Sequence, residues 1–403
     1  MTRLNVNNSP LKVFDERVVQ FLGDLSAELL KSSLVRQYPD LSAFAFYVRK
    51  ANLSKLQEQL KLEEGRLGRG LCFHIAPANI PVNFAFSWVF SLLAGNANIV
   101  RLPSKQFPQV DALLGVIQAH LSRNPELESR NIFVRYPRTD TETTARYSAM
   151  ADCRMIWGGD RTIASVKTLS TMPRCVDIAF ADRYSIALIN AEAVLAADEV
   201  QKLRLADGFY NDTYLMDQNA CSSPQLILWE VGKLGSEEVE KAREKFWATV
   251  EEVAKKKYVL QDAVAVDKYT LFCEEAVNNP LIDRVIRSGN LLYRVELKTL
   301  TPQLSSFAKA SEDKPHSITS HRGKGGFFFE YVLRDRMELF EVVTEKFQTV
   351  TCFGIDIAEF RDQVVAHGVR GIDRIVSIGK AMDIGVVWDG HDLIRELSRI
   401  VIS

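Results

Sequence analysis

The sequence predicts an α/β protein with a largely parallel sheet, and two observations lead to this prediction. Segments typical of strands alternate along the chain with segments typical of helices, and no internal repeat or low-complexity tract interrupts them. In addition, residues 71–100 contain no charged side chain, and turn residues divide this run into a strand, a helix and a second strand. Parallel neighbouring strands need such a crossover between them.

The uncharged run must be distinguished from a transmembrane helix, which needs about 20 consecutive apolar residues. Proline and asparagine residues cluster in its first half, and Gly95 and Asn96 break the second half. Only residues 81–94 remain for a helix, which is too short to cross a bilayer. We therefore predict no membrane span, but a buried strand over 70–75, a buried helix that begins with Pro81, and a buried strand over 98–102.

The remaining elements follow from the periodicity of apolar residues and from the turns between them. Strands are predicted over 132–135, 154–157, 185–190 and 225–229, and helices over 14–31, 109–121, 160–169, 196–207 and 236–257. The last helix is the clearest, because two glutamates suit its amino end and three lysines its carboxyl end. A stretch over 301–324 that is rich in serine and proline predicts a mobile loop.

The composition excludes several functional classes. With 403 residues, 47% of them apolar and 25% charged, the chain has room for two domains with large cores. A net charge of −1 gives no electrostatic basis for binding nucleic acid, so we expect a small-molecule substrate. Residues 1–8 are polar and lack the apolar segment of a secretory signal, so we expect a cytoplasmic protein.

Cys221 is the candidate nucleophile among six cysteines. The six lie far apart without a Cys-x-x-Cys motif, so we expect thiols, no disulfide framework and no metal site. Small polar residues surround Cys221 just before the strand over 225–229, where a substrate can reach it. A lone cysteine is more often a buried apolar residue, and this alternative stays open. Asn79 lies in a Pro-x-Asn-x-Pro turn, which makes its amide a suitable donor to an oxyanion.

A pair of glycines, Gly158 and Gly159, follows the predicted strand over 154–157 and precedes a predicted helix. Backbone amides at the start of such a helix can face an anion such as a pyrophosphate. The pattern is not a full G-x-G-x-x-G, and a close turn that needs glycine for packing explains it equally well.

Together these segments resemble the aldehyde dehydrogenase superfamily. Residues 77–81 resemble its Pro-Trp-Asn-Phe-Pro motif, residues 94–96 read Ala-Gly-Asn as in that superfamily, and residues 102–105 stand where it has Lys-Pro-Ser-Glu. Glu345-Lys346-Phe347 is similar to its Glu-x-Phe motif. Within the superfamily, residues 221–225 and 373–399 resemble the LuxC-type acyl-CoA reductases. The resemblance begins near Gly70 and continues to the end of the chain.

The resemblance implies an aldehyde dehydrogenase-like fold. A doubly wound, Rossmann-type cofactor domain is expected over 60–181 and a second α/β domain, the catalytic domain, over 182–372. Residues 1–59 have a helical pattern, and we assign them no function. Residues 373–403 are expected to return to the first domain or to a partner subunit, where 398–402 would add a strand to the neighbour's sheet. A homodimer or homotetramer is therefore expected.

The resemblance also implies a mechanism. Cys221 is the expected nucleophile, and its own N–H and the Asn79 amide are the expected oxyanion donors. Aldehyde-oxidising members need a glutamate that activates water, and here Ile178 takes that position. A shift of one residue would place Asp177 there, but adjacent residues of a strand face opposite sides, so we expect no such role for it. The expected reaction is reduction of an acyl thioester, carried by CoA or by a protein, to an aldehyde.

The expected cofactor is NADPH, with NADH as the alternative. Glu345 and Phe347 correspond to the residues that hold the nicotinamide ribose and ring, and Gly158 and Gly159 to a pyrophosphate turn. Arg101, Ser104 and Lys105 occupy the adenosine-ribose region, where Lys105 replaces the glutamate of the superfamily. A cation at this position can pair with a 2′-phosphate, although both cations can also be surface charges beside a turn.

Two other functions remain as alternatives. One is oxidation of aldehydes, which the missing glutamate disfavours. The other is a non-catalytic acyl-binding subunit of a fatty-acid reductase-like complex, since LuxC-type proteins associate with acyl-protein synthetases. The four aromatic residues Phe84, Phe86, Trp88 and Phe90 either line an acyl tunnel or belong to the core, and residues at this spacing are more often core.

Overall fold

The computed structural model describes residues 6–77, 80–301 and 317–402, and the chain divides into two compact units. The first unit combines Met1–Asp182 with Ile384–Ser403, and the second is Arg183–Asp383. The predicted N-terminal segment is part of the first unit, and the predicted return segment divides between the two units after Asp383.

The first part of the chain contains nine helices and six strands within its described residues. In chain order they are α1 (Glu16–Lys31), α2 (Leu34–Gln37), α3 (Pro39–Tyr47), α4 (Lys50–Leu60), β1 (Arg66–Gly68), β2 (Leu71–Ile75), α5 (Asn83–Leu93), β3 (Ala97–Arg101), α6 (Pro108–Leu121), α7 (Pro125–Glu128), β4 (Asn131–Val134), α8 (Thr141–Met150), β5 (Cys153–Trp157), α9 (Asp160–Lys167) and β6 (Val176–Phe180).

A five-stranded parallel sheet with the order β4-β3-β2-β5-β6 forms the centre of the first unit. The chain extends the sheet from β2 through β3 to β4, and then crosses to β5 and β6 on the other side of β2. The sheet is therefore doubly wound, as predicted, and its order reverses between β2 and β5. Ligands of such sheets bind outside the carboxyl ends of the strands at the point of reversal.

The uncharged run forms β2, α5 and β3, and every residue of α5 is buried. The helix begins at Asn83 and not at the predicted Pro81. The amino-terminal helices cover it, since Phe86 packs edge to face on Phe44 and Tyr47 with ring centroids 5.3 and 5.4 Å apart. These contacts give the uncharged helix a buried, apolar environment. The aromatic residues of α5 are core residues: Phe84, Phe86, Trp88 and Phe90.

The second unit is built on a larger sheet. It contains β7 (Tyr184–Asn190), α10 (Ala191–Ala196), α11 (Glu199–Asp212), β8 (Pro224–Glu230), α12 (Ser236–Lys257), α13 (Asp262–Asn278), β9 (Ile282–Ser288), β10 (Leu292–Leu297), β11 (Phe327–Leu333), α14 (Arg336–Val342), β12 (Phe347–Phe353), α15 (Ile357–Ala366) and β13 (Arg374–Ser377). The sheet order is β13-β12-β7-β8-β11-β10-β9, and all neighbours are parallel except the edge pair β9 and β10.

The chain then returns to the first unit through β14 (Val387–Trp388), β15 (His391–Asp392), α16 (Leu393–Glu396) and β16 (Ser398–Ile400). β16 pairs antiparallel with β1 of the same chain. Asn96 strengthens the return, because its side chain donates to the carbonyl oxygen of Leu397 at 2.9 Å.

Two predicted segments need correction. The predicted helix over 196–207 is two helices, because Ala197 is extended and Asp198 caps α11 by accepting a hydrogen bond from the N–H of Gln201. Of the predicted loop over 301–324, residues 302–316 lie outside the described residues, and Ile318–Ser320 forms a 3₁₀ turn. Across the described ranges, no helix combines the length and the apolar character needed to cross a membrane.

The cover over α5 is testable by truncating Phe44, which is fully buried. Phe44→Ala should lower the free energy of unfolding by about 3–5 kcal/mol, because it removes the ring from Phe86 and leaves a cavity. Urea denaturation measures this loss. Phe46→Ala on the same helix is the control, since Phe46 is 52% exposed, and its effect should stay below about 0.5 kcal/mol. Equal losses in both variants would contradict this packing.

Candidate functional site

Cys221 lies in a short loop between a 3₁₀ turn at Tyr214–Met216 and the start of β8. Two consecutive residues of this loop, Asp217 and Gln218, have left-handed backbones with φ of 51° and 58°. This conformation is unfavourable for residues other than glycine, so contacts with the surrounding structure must hold the loop.

The buried side chain of Gln218 provides these contacts. Its Oε1 accepts hydrogen bonds from the N–H groups of Gly326 and Phe327 at 2.8 and 3.0 Å. Its Nε2 donates to the carbonyl oxygens of Phe327 and Pro224 at 3.1 and 3.3 Å. Gln218 therefore ties the loop to the starts of β8 and β11, with both oxygen lone pairs and both N–H groups engaged.

The backbone of Cys221 is fixed by Ser185 on β7. The hydroxyl of Ser185 donates to the carbonyl oxygen of Cys221 at 2.6 Å and accepts from the N–H of Thr349 on β12 at 3.3 Å. Because β7, β8 and β12 are parallel neighbours, their amino ends lie at one edge of the sheet. The structure thus places the partly exposed Cys221 thiol at this edge.

Glu345 and Phe347 lie at the same edge, at the start of β12. The ring of Phe347 is only 1% exposed and packs edge to face on Tyr184 with centroids 5.4 Å apart. The side chain of Glu345 is 74% exposed, and its backbone carbonyl accepts a hydrogen bond from Arg183 at 2.7 Å. Of the predicted pair, Glu345 has an exposed side chain, whereas Phe347 is enclosed in the core.

The glycine pair follows β5 in the first unit, and its two residues differ in their surroundings. A Cβ on Gly158 would lie 3.2 Å from the side chain of Thr162, so Gly158 serves close packing of α9. A Cβ on Gly159, the N-cap of α9, would meet no atom within 4 Å. The space above this helix start is open at the carboxyl end of β5, which suits a phosphate group.

Two arginines lie at the same edge of this sheet. Arg101 ends β3, and its guanidinium stacks over the ring of Tyr136 at 4.7 Å from the centroid. Arg138 follows β4 and donates to the hydroxyl of Thr162 in the first turn of α9 at 2.6 Å. Burial lowers the pKa of Arg101, and the charge of Arg138 acts in the same direction. The two positive charges therefore repel each other, and an anion bound near both would reduce this repulsion.

Arg138 was not among the predicted residues. Its position in the loop that follows the parallel strand β4, together with its charge, is the signal in the sequence that indicates it. The predicted Ser104 and Lys105 are exposed in the loop after β3, and the Lys105 ammonium lies 5.1 Å from the ring centroid of Phe107. Arg101, Lys105, Arg138 and Gly159 therefore all follow the carboxyl ends of strands in one sheet.

β6 carries Ile178, the residue expected at the position of the water-activating glutamate. Ile178 is fully buried in the core. Asp177 turns to the other face, where both of its carboxylate oxygens accept hydrogen bonds from Arg154 at 2.7 and 2.6 Å. The Asp177 carboxylate is thus held by Arg154 on the face of β6 opposite to Ile178. Asn79, the predicted oxyanion donor, lies outside the described residues.

The six cysteines are thiols in the structure. Cys72, Cys153 and Cys352 are buried, Cys175 and Cys221 are partly exposed, and Cys273 is exposed. Cys273 lies within α13 and Cys175 just before β6. Cys221 differs from both because its loop precedes β8 and is held by the buried side chain of Gln218. Within residues 6–77, 80–301 and 317–402, no group of three His, Cys, Asp or Glu side chains has the geometry of a metal site.

Solved structures place the fold in the aldehyde dehydrogenase superfamily. Aldehyde dehydrogenase 21 from Physcomitrella patens matches with a TM-score of 0.64 at 12% identity, over 95% of this chain and 84% of that chain. A variant of 1-pyrroline-5-carboxylate dehydrogenase from Thermus thermophilus matches with 0.63 at 12% identity, over 96% and 80%. An NAD-dependent benzaldehyde dehydrogenase from Corynebacterium glutamicum matches with 0.57 at 12% identity, over 95% and 82%. These similarities show the fold alone.

The sequence identifies the family more narrowly. The sequence model of the LuxC acyl-CoA reductase family matches residues 49–289, which is more than half of the chain. The chain therefore belongs to the LuxC acyl-CoA reductase family, and it is an oxidoreductase with an activity on acyl or aldehyde substrates. No curated protein matches the sequence.

The open space above Gly159 predicts an effect on cofactor binding. Gly159→Ala should weaken nicotinamide-cofactor binding at least about 10-fold, because its methyl group projects into that space. Titration of the cofactor by intrinsic fluorescence measures this. Gly115→Ala on an exposed face of α6 is the matched control, because a Cβ there also meets no atom. Unchanged cofactor affinity of Gly159→Ala would show that the phosphate does not approach this helix start.

Proposed function

We propose that this protein reduces an acyl thioester, carried by CoA or by a protein, to an aldehyde with NADPH through an acyl-cysteine on Cys221. The observation that carries the proposal is the pairing of a positioned, accessible thiol with the absence of a water-activating carboxylate on β6, where Ile178 is buried and Asp177 is held by Arg154. When no general base activates a water molecule for attack, the acyl-cysteine is available for reduction instead of hydrolysis.

The reaction begins at the thiolate of Cys221, which attacks the thioester carbonyl carbon. The negative charge that develops on the carbonyl oxygen is stabilised by the Cys221 N–H and by the amide of Asn79. The carrier thiolate leaves, takes up a proton, and the acyl group remains on Cys221. A nicotinamide cofactor, when bound, would supply the hydride that reduces the acyl carbon. The oxyanion of the resulting tetrahedral adduct then re-forms the carbonyl and expels the sulfur. This releases the aldehyde and restores the Cys221 thiolate.

We assign the cofactor-binding residues from the carboxyl ends of the first sheet's strands and the amino ends of the second sheet's strands. Gly159 would admit a pyrophosphate at the start of α9 while Gly158 allows the close packing of that helix, and Ser104 would lie beside the adenosine ribose. Glu345 is exposed and would accept hydrogen bonds from the nicotinamide ribose, with Phe347 as its buried support.

The preference for NADPH rests on cations. Lys105 replaces an acidic residue of the superfamily motif, and Arg101 and Arg138 lie at the same sheet edge. A 2′-phosphate would gain charge-assisted hydrogen bonds from these groups, whereas the hydroxyl of NADH would not.

Reversing the charge of Lys105 tests this preference. Lys105→Glu should lower kcat/KM for NADPH about 10-fold or more and leave that for NADH unchanged or higher, because the carboxylate repels the 2′-phosphate. Initial rates with both cofactors measure it. Lys167→Glu makes the same change of charge at the far end of α9 and should leave the ratio unaltered. A parallel fall with both cofactors would contradict the assignment of Lys105.

The reaction itself is tested by mixing the purified protein with NADPH and acyl-CoAs from short to long chains. NADPH absorbance should fall and aldehyde should form, and Cys221→Ala should abolish both while NADPH binding is retained. Cys273→Ala, an exposed thiol, is the control and should be fully active. Turnover by Cys221→Ala would refute the mechanism. NADPH binding without turnover would indicate an acyl-protein donor or an acyl-protein synthetase partner. Absence of NADPH binding would indicate a non-catalytic acyl-binding subunit.

We also propose a homodimer or homotetramer. The support is the apolar residues at and after β16, where Ile400, Val401 and Ile402 are 44%, 53% and 83% exposed. Burying such residues against a second copy would remove apolar surface from water.

A further inference from the structure

A turn that follows β13 packs against the loop of the nucleophile. Ser222, the residue after Cys221, donates from its hydroxyl to the sulfur of Met382 at 3.8 Å. Met382 belongs to residues 379–383, which we call the wall turn. Because Ser222 is buried, the position of the wall turn affects the surroundings of Cys221 directly.

Arg374, the first residue of β13, holds the wall turn from one side. Its guanidinium donates to the carbonyl oxygens of Ala381 at 2.8 Å, Lys380 at 2.8 Å and Asp383 at 2.7 Å. Arg374 is also paired in the sheet with Thr349, whose N–H donates to the serine hydroxyl that fixes the Cys221 carbonyl. A lysine has no planar fork and cannot hold three carbonyl oxygens in this geometry.

Asp212, at the end of α11, holds the wall turn from the opposite side. Its carboxylate accepts hydrogen bonds from the N–H groups of Gly379 at 2.6 Å and Ala381 at 2.9 Å. The side chain is fully buried, and burial raises the pKa of Asp212 to about 6 although these hydrogen bonds oppose the shift. Asp212 is therefore mostly ionised above pH 7.

The charge of Arg374 is not neutralised by its own hydrogen bonds, because the three described acceptors are neutral carbonyl oxygens. Burial lowers the pKa of Arg374, and the negative charges of Asp383, Asp212 and the Cys221 thiolate oppose that shift. Such interactions are mutual, so the guanidinium favours the thiolate of Cys221, and the carboxylate of Asp212 carries the opposite charge.

Two further ion pairs lie close by and are each nearly neutral as a unit. Lys380 pairs with Asp383 at 3.2 Å, and Arg183 pairs with Asp373.

We infer that Arg374 is a positioning residue that holds the wall turn against the Cys221 loop and favours the thiolate form of Cys221. The inference rests on the proposed function only in taking Cys221 as the nucleophile. Asp212 acts on the same thiol with the opposite sign through its charge, while it supports the same turn.

The rate of alkylation by iodoacetamide as a function of pH, read for each cysteine by mass spectrometry, tests the inference. Arg374→Gln should raise the pH midpoint for Cys221 by about one pH unit, a loss of about 10-fold in thiolate below the midpoint. Arg374→Lys keeps the charge, so it should keep the midpoint while lowering kcat.

Asp212→Asn gives the opposite sign and should lower the midpoint for Cys221, because it removes a negative charge. Mere loosening of the wall turn would shift both variants in the same direction, or would scale the rate at every pH without moving the midpoint. Arg361→Gln on α15 removes an exposed arginine of the same unit as a control. An unmoved midpoint in Arg374→Gln, or an upward shift in Asp212→Asn if Arg374→Gln does not fold, would overturn the inference.

Failure of the proposed function gives a different result from failure of this inference. If Cys221 is not the nucleophile, Cys221→Ala stays active whatever the alkylation midpoints show. If Cys221 is required for turnover but its midpoint ignores Arg374, the proposed function stands and the inference fails.

Discussion

The parallel direction of the strands is the constraint on which both candidate sites depend. In the first unit, the carboxyl ends of β3, β4 and β5 bring cations and an open helix start to one edge. In the second unit, the amino ends of β7, β8 and β12 bring the Cys221 loop, Ser185 and Glu345 to one edge. A slip of one residue in any of these strands would turn its side chains to the opposite face and disperse the site.

Buried amides fix the strands of the first unit where no charge is available to do so. Asn98 on β3 donates to the side-chain oxygen of Asn131 on β4 at 2.9 Å, and Trp88 of α5 donates to the same oxygen at 2.7 Å. His74 on β2 bonds to Asn98 and to Ser87 of α5 at 3.0 and 2.8 Å. Because an unpaired buried polar group costs about 1–3 kcal/mol, this network disfavours every other register.

The motifs that reveal the family do not all serve chemistry. Asn96 of the Ala-Gly-Asn motif accepts hydrogen bonds from the backbone of Arg69 and Gly70 and donates to the return segment at Leu397. It is a structural residue. Gly158 likewise serves packing, whereas Gly159 next to it leaves space. Gly158 thus fits the packing interpretation of the glycine pair, and Gly159 leaves the space that the phosphate-binding interpretation requires.

The sequence by itself determined the α/β class and α12 with its observed bounds, because periodicity and helix-end charges are local properties. Its resemblance to the superfamily implied the doubly wound unit around the uncharged run. It also indicated Cys221 and Lys105 through motifs. Only the tertiary structure decided which helices cover α5, that Phe347 is enclosed, and that Arg138 and Arg374 reach the two edges. These depend on contacts between residues far apart in the chain, which no local pattern records.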